Sequence, residues 1–135
     1  MNHWSTRYIG LPYVIGGRTR EGLDCWGLLR LFYQEEKNIT LPELPGIVEN
    51  GVLDISRTII QEKLASWKYV ALPEEGCAVA MSQRQVLHHV GIWTDADGGR
   101  IIHSWQAPVV ADKLSDLRRQ RGFKRIEFYC YGTHH

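Results

Sequence analysis

Cys25, His89 and His103 are the residues whose types and spacing can do chemistry in this chain. That chemistry is nucleophilic: a thiol attacks, one imidazole takes its proton, and a second group orients the first imidazole. The thiol lies in Gly22-Leu23-Asp24-Cys25-Trp26-Gly27-Leu28-Leu29-Arg30. Leu29, Phe32, Tyr33 and Glu36 follow it at helical spacing, and no Gly or Pro falls between Leu28 and Thr40, which predicts a helix from about Asp24 to Glu36. Asp24 suits the N-cap and leaves Cys25 in the first turn. Unpaired N–H groups and the positive end of the macrodipole favour thiolate there, the physics that lowers reactive-cysteine pKa values from about 8.5 to roughly 3.5–7.5. The competing reading is a buried cysteine filling a packing gap.

The imidazoles come from a predicted hairpin. Asp95-Ala96-Asp97-Gly98-Gly99 joins the strand His88–Thr94 to the strand Arg100–Trp105. His89 and His103 are centred on Ala96, so an odd-length loop sets them side by side on one face. His88 then points the other way with Val90 and Ile92. Backbone N–H groups at the helix start and the Tyr13 hydroxyl are candidates to stabilise an oxyanion. A zinc site built from Cys25, His89 and His103 is the alternative use of the same side chains, although their spacing matches no common zinc pattern.

Around these residues the period of the sequence changes once. Residues 2–9 read as a short helix, Leu11–Gly17 as an extended piece ending in a glycine turn, and Arg18–Gly22 as a polar loop. Leu41-Pro42-Glu43-Leu44-Pro45-Gly46 is a surface connection, and Asp54 caps a second helix running to about Trp67. After Pro73 strands take over: Cys77–Met81, the hairpin, Pro108–Ala111, and Arg125–Tyr131 beyond a short helix from Lys113 to Arg121. Helices first and a meander afterwards predict an α+β fold, with N-terminal helices packed on a C-terminal antiparallel sheet, in a single domain spanning residues 1–135.

The 135 residues carry 16 Lys plus Arg against 15 Asp plus Glu, and a net charge of +1 offers no electrostatic case for nucleic acid or an anionic membrane. Arg118-Arg119-Gln120-Arg121 is the one basic run and reads as a solvated helix end. Cys77 and Cys130 sit in apolar, strand-like surroundings and read as core residues. The N-terminus lacks the apolar stretch of a signal peptide, and no apolar run reaches membrane-spanning length. Synthesis in the cytosol without a secretion route of its own is the expectation.

Four blocks together carry a resemblance. Leu11-Pro12-Tyr13-Val14-Ile15-Gly16-Gly17, Gly22-Leu23-Asp24-Cys25-Trp26-Gly27-Leu28, His89-Val90-Gly91-Ile92-Trp93 and Ile101-Ile102-His103-Ser104 resemble, in order and spacing, the NlpC-type cell-wall peptidases of the papain-like superfamily. The resemblance implies a papain-like fold with Cys25 as nucleophile, His89 as general base and His103 as the polar residue orienting it. Tyr13 falls on the family's tyrosine near the nucleophile, and Tyr13, Asp24 and Trp26 are the candidates for contact with oxyanion or substrate. The implied reaction is hydrolysis of a peptide bond in the peptidoglycan stem, between D-glutamate and diaminopimelate or lysine, with no cofactor and no metal. Trp26 departs from the family, which usually has a small residue after the cysteine; packing and substrate contact are both open to it. The Asp-Cys-Trp-Gly-Leu form is similar to the branch found in phage and prophage tail proteins, which implies a virion-tail location and tail-tip partners. Two other functions compete: a structural tail-tip component with little turnover, and an amidase or acyltransferase using the same thiol.

Overall fold

At Asp24 the extended chain turns into helix α1, Cys25–Lys37, in the computed structural model of the protein, which describes residues 3–42, 67–84 and 87–131. The Asp24 side chain accepts the Gly27 N–H at 2.8 Å, satisfying one of the donors that a helix start leaves unpaired. At the far end Asn38 adopts the left-handed conformation (φ 57°), which Asn tolerates better than most residues, and its N–H donates to Tyr33 O. Leu28, Leu29, Phe32 and Tyr33 form the buried face between these caps. A 3-10 turn, Trp4–Arg7, packs beside the helix through Trp4 and Tyr8, whose rings meet Phe32.

The strands are β1 (Arg18–Thr19), β2 (Gly22–Leu23), β3 (Trp67–Val70), β4 (Ala78–Ser82), β5 (His89–Thr94), β6 (Arg100–His103), β7 (Val110–Asp112) and β8 (Arg125–Tyr131); a short helix α2 (Leu114–Arg119) precedes β8. Six of them form one antiparallel sheet in the order β3-β8-β4-β5-β6-β7. This is the expected α+β architecture, with one refinement: β4 to β7 is a meander, whereas β8 returns to lie between β3 and β4. Both faces of the sheet are covered. Ala78, Ala80, Val90, Ile92 and Ile102 join the α1 cluster, while Val79, Met81 and Ile101 pack against Leu117 and Phe123 on the other side. Alternation therefore buries every residue of β4. No helix among the described residues is long and apolar enough to cross a membrane.

Two local expectations are corrected, and a third cannot be compared. Arg18–Gly22 is no loop: Arg18 pairs with Leu23 in a two-stranded ribbon that carries the chain into α1. The helix expected from Asp54 lies outside the described residues except at Trp67, which opens β3 instead. Its indole packs on Tyr33 and Tyr131, a site that exists only once β8 is in place. Cys77 and Cys130 are joined in a disulfide across the ends of β4 and β8, with Cα atoms 4.7 Å apart. Nothing local marks that pair, because the residues are 53 apart and meet through strand pairing. Closing a loop of that size restricts the unfolded chain, so Cys130→Ser is expected to cost about 2–4 kcal/mol. Denaturant unfolding with and without reductant checks this, and coincident midpoints would refute it.

Candidate functional site

The ladder between β5 and β6 ends early, and the thiol occupies the place this leaves. Trp93 N–H donates to Cys77 O, so the amides of alternate residues Ile92 and Val90 point toward β6. The β5–β6 pairing stops at Ile92 with Ile102, which leaves Val90 N–H without a strand partner. Its dipole favours the Cys25 thiolate, as does that of the Trp26 backbone N–H. Cys25 belongs to the α1 cluster with Val90, whereas His89 stacks on Phe123 of the second cluster, so alternation puts Val90 and His89 on opposite faces of β5.

His89 and His103 are brought together, Nε2 to Nδ1 at 2.8 Å, both fully buried. They are not directly opposite. The loop is centred on Asp97, not Ala96, so the register places His103 across from Gly91 and makes the two histidines diagonal neighbours. The odd parity still puts them on one face. Gly91 makes the diagonal approach possible: a Cβ there would lie 2.7 Å from Ile101 Cγ2 and 3.0 Å from His103 Cβ. His88 does not point away as expected. Its N–H donates to Met81 O although Met81 pairs with His89, so two residues of this strand stand against one of β4, the count of a β-bulge. Both rings consequently meet Trp105 and Phe123, but His88 uses its Nε2 to accept the Gln83 N–H.

The second nitrogen of His89, Nδ1, is buried and has no hydrogen-bond partner among the described residues. Buried polar atoms are rarely left so, and one that persists calls for a functional explanation. On the far side, His103 Nε2 meets Asp112 Oδ2 at 2.8 Å, and Arg121 Nε donates to the same oxygen at 2.6 Å. Sequence reading missed Asp112 and Arg121. The available signal was alternation along β7, which puts Asp112 on the face of His103.

The remaining candidates divide. Tyr13 bridges to Leu23, and its phenol is pushed up by burial and by the charges of Cys25 and Asp24. Asp24 Oδ1 accepts from Gly27 N–H and from Arg18 Nη1 at 2.6 Å, and Oδ2 accepts the Gly16 N–H at 3.0 Å. Its donors come from the chain itself. Trp26 is 2% exposed and its indole N–H donates to Pro42 O, so it packs. Among the described residues no group of three or more His, Cys, Asp or Glu is disposed to hold a metal.

The thiol is not activated in the way its helix position suggests. Cys25 is 4% exposed. Burial and the nearby Asp24 carboxylate push its pKa up to about 12, against the Val90 and Trp26 N–H groups and Arg18. Dehydration outweighs the helix start. Burial, with His103, His88 and Arg121 nearby, also holds His89 well below its ordinary value. The resting pair is therefore neutral thiol and neutral imidazole. Each shift disfavours the charged form, and the signs fix the stability profile. The unfolded chain takes up a proton on His89 below about pH 6.5, so stability falls as pH drops from there toward the folded-state value. It releases the Cys25 proton near 9, so stability also falls as pH rises from 9 to about 12. Urea unfolding across pH should show a plateau between these limits, and Cys25→Ala should remove the loss traceable to the thiol; an alkaline limb unchanged in that variant would refute the assignment.

Residues 10–125 match the NlpC/P60 family. The fold is similar to that of a crystal structure described as the NlpC/p60 domain of peptidoglycan hydrolase SagA, with TM-score 0.60, 21% identity, and coverage of 92% of this chain and 91% of that one. A curated relative, Gamma-DL-glutamyl hydrolase of Bacillus subtilis (strain 168), is 51% identical over 37 residues, which are 27% of this chain and 9% of that protein.

Proposed function

The chain belongs to the NlpC/P60 family, and from that premise we propose that it is a cysteine peptidase hydrolysing peptide bonds in the peptidoglycan stem, at the D-glutamyl bond to diaminopimelate or lysine. The observation that carries this reading is the buried Nδ1 of His89, without a hydrogen-bond partner among the described residues, on the residue preceding Val90, whose N–H favours the Cys25 thiolate. His89 takes the thiol proton as sulfur attacks the scissile carbonyl carbon. The C–N bond then breaks, His89 passes that proton to the departing amine, and a thioester remains. Water, deprotonated by His89, attacks the thioester, and the proton returns to sulfur as the acid leaves. Tyr13, whose phenol is within electrostatic reach of Cys25, steadies the oxyanion in this reading. The glutamyl preference is supported by the name of the Bacillus relative and the cell-wall substrate by that of SagA. Incubating the protein with defined muropeptides and weighing the fragments tests it; intact muropeptides, or a cut elsewhere, would overturn the bond assignment.

A finer placement rests on the Asp24-Cys25-Trp26-Gly27-Leu28 form, which resembles phage and prophage tail proteins. In this placement the protein is a tail component that opens the wall locally, alongside other tail-tip proteins. Its presence in purified tails, read by peptide mass spectrometry, is the test, and particles lacking it would sink the placement. The burial of Cys25 favours one competing reading, a tail-tip component that keeps the fold with little turnover; the muropeptide experiment separates the two.

A further inference from the structure

Hydrogen bonding beyond the two histidines determines where their protons sit. On β6 and β7, His103 pairs with Val110 and Ile101 with Asp112, so Asp112 is the diagonal same-face neighbour of His103. The carboxylate oxygen that meets His103, Oδ2, also accepts from Arg121 Nε. The backbone there is itself fixed, since Arg121 N–H donates to Asp116 O and Gln83 Nε2 donates to Arg121 O. Hydrogen bonding to His103 first, and to Arg121, keeps the Asp112 carboxyl below its ordinary range. An ionised carboxylate only accepts, so the His103 nitrogen facing it, Nε2, carries that ring's proton. A His103 ring whose single proton sits on Nε2 offers Nδ1 as an acceptor, so the proton in the 2.8 Å contact between the rings belongs to His89 Nε2. Neutral His89 is left with a bare lone pair on Nδ1, the nitrogen that has no partner among the described residues.

We infer that Asp112, clamped by Arg121, is a positioning residue that fixes the tautomers of both histidines and so makes His89 Nδ1 the base, extending Cys25–His89–His103 to a fourth member. The inference rests on the proposed thiol hydrolysis for its kinetic consequence only, since the proton arrangement exists without substrate. When Nδ1 accepts the Cys25 proton, the new positive charge on His89 spreads through its Nε2–H to His103 and faces the Asp112 carboxylate. The charged and titratable groups around it are His88 on the same segment, His103 on β6, Asp112 on β7 and Arg121 beyond α2. Phe123, stacked on His89 at 5.3 Å, and Trp105 at 4.9 Å supply the apolar walls that lock the ring orientation.

Two measurements on the full chain test this. The first is ring 15N NMR of the wild type above pH 7, where both His89 and His103 are expected as Nε2–H tautomers; an Nδ1–H on either would overturn the inference. The second is muropeptide kinetics of Asp112→Asn and Asp112→Ala. Losing the charge should lower kcat about 10–100-fold with KM near the wild-type value, a smaller effect than in a serine triad because Asp112 acts through a second ring. The acid limb of the pH profile should also shift. Unchanged kcat and pH profile in folded Asp112→Asn would overturn the inference, and if Asp112→Ala does not fold, the wild-type tautomers and Asp112→Asn still decide. A wild type with the expected tautomers and no turnover would defeat the hydrolase reading alone. Turnover with the wrong tautomers would defeat this inference alone.

Discussion

Cys25→Ala is expected to lower turnover of muropeptides by about 10⁴-fold or more, with the fold intact. The sulfur is the nucleophile in the proposed reaction, and the backbone N–H groups that remain can polarise a carbonyl but cannot form a thioester. Loss of a single buried sulfur leaves a small void, which keeps the variant folded and the comparison clean. His89→Ala should lose nearly as much activity, for a reason specific to this site. With the thiol pKa pushed up to about 12, an enzyme without the imidazole has almost no thiolate at neutral pH. The alanine also leaves a hole against Phe123 and Trp105, so His89→Ala should lower stability as well, and circular dichroism must accompany its assay. Fragment masses and rates from the two variants check the prediction. Wild-type rates in Cys25→Ala would end the case for thiol catalysis.

Gly27→Ala is expected to destabilise the protein by on the order of 3–5 kcal/mol and to reduce activity at least about 100-fold. Alanine normally favours helices, so the sign is set entirely by what lies beside Gly27. A Cβ there would fall 2.1 Å from Gly17 O, a backbone atom with no rotamer to retreat into. That carbonyl also accepts from Arg18 Nη1 at 2.7 Å and from Asp24 N–H at 3.4 Å. Pushing it away loosens the loop that delivers Asp24 to its cap and Tyr13 to the thiol. Chemical denaturation and muropeptide assays of the same preparation test both halves; a Gly27→Ala protein as stable and active as wild type would refute the close approach.

Features set by neighbouring residues were legible in the sequence. The helix α1 declares itself through Asp24, the spacing of Leu29, Phe32 and Tyr33, and the absence of breakers, and it starts within one residue of the expectation. The shared face of His89 and His103 follows from counting parity across a loop. Features set by strand register and by distant pairing were not. Whether the loop centres on Ala96 or Asp97 depends on the left-handed Asp97 (φ 54°), and that shift decides that Gly91, not His89, stands opposite His103. The Cys77–Cys130 bond joins strands 53 residues apart, and the β-bulge that turns His88 inward and the reach of Asp112 to His103 depend on the register between adjacent strands. The protonation of Cys25 was misread because a helix start is visible locally, whereas full burial is a property of the assembled molecule.

The late return of β8 to the middle of the sheet has a temporal consequence. Until Arg125–Tyr131 has emerged from the ribosome, β3 and β4 have no shared partner, and the wall behind the histidines lacks Phe123. A nascent chain therefore already carries its thiol helix but cannot yet assemble the apparatus that works it. A chain cut short before Phe123 is therefore expected to lack both that wall and the proposed hydrolysis.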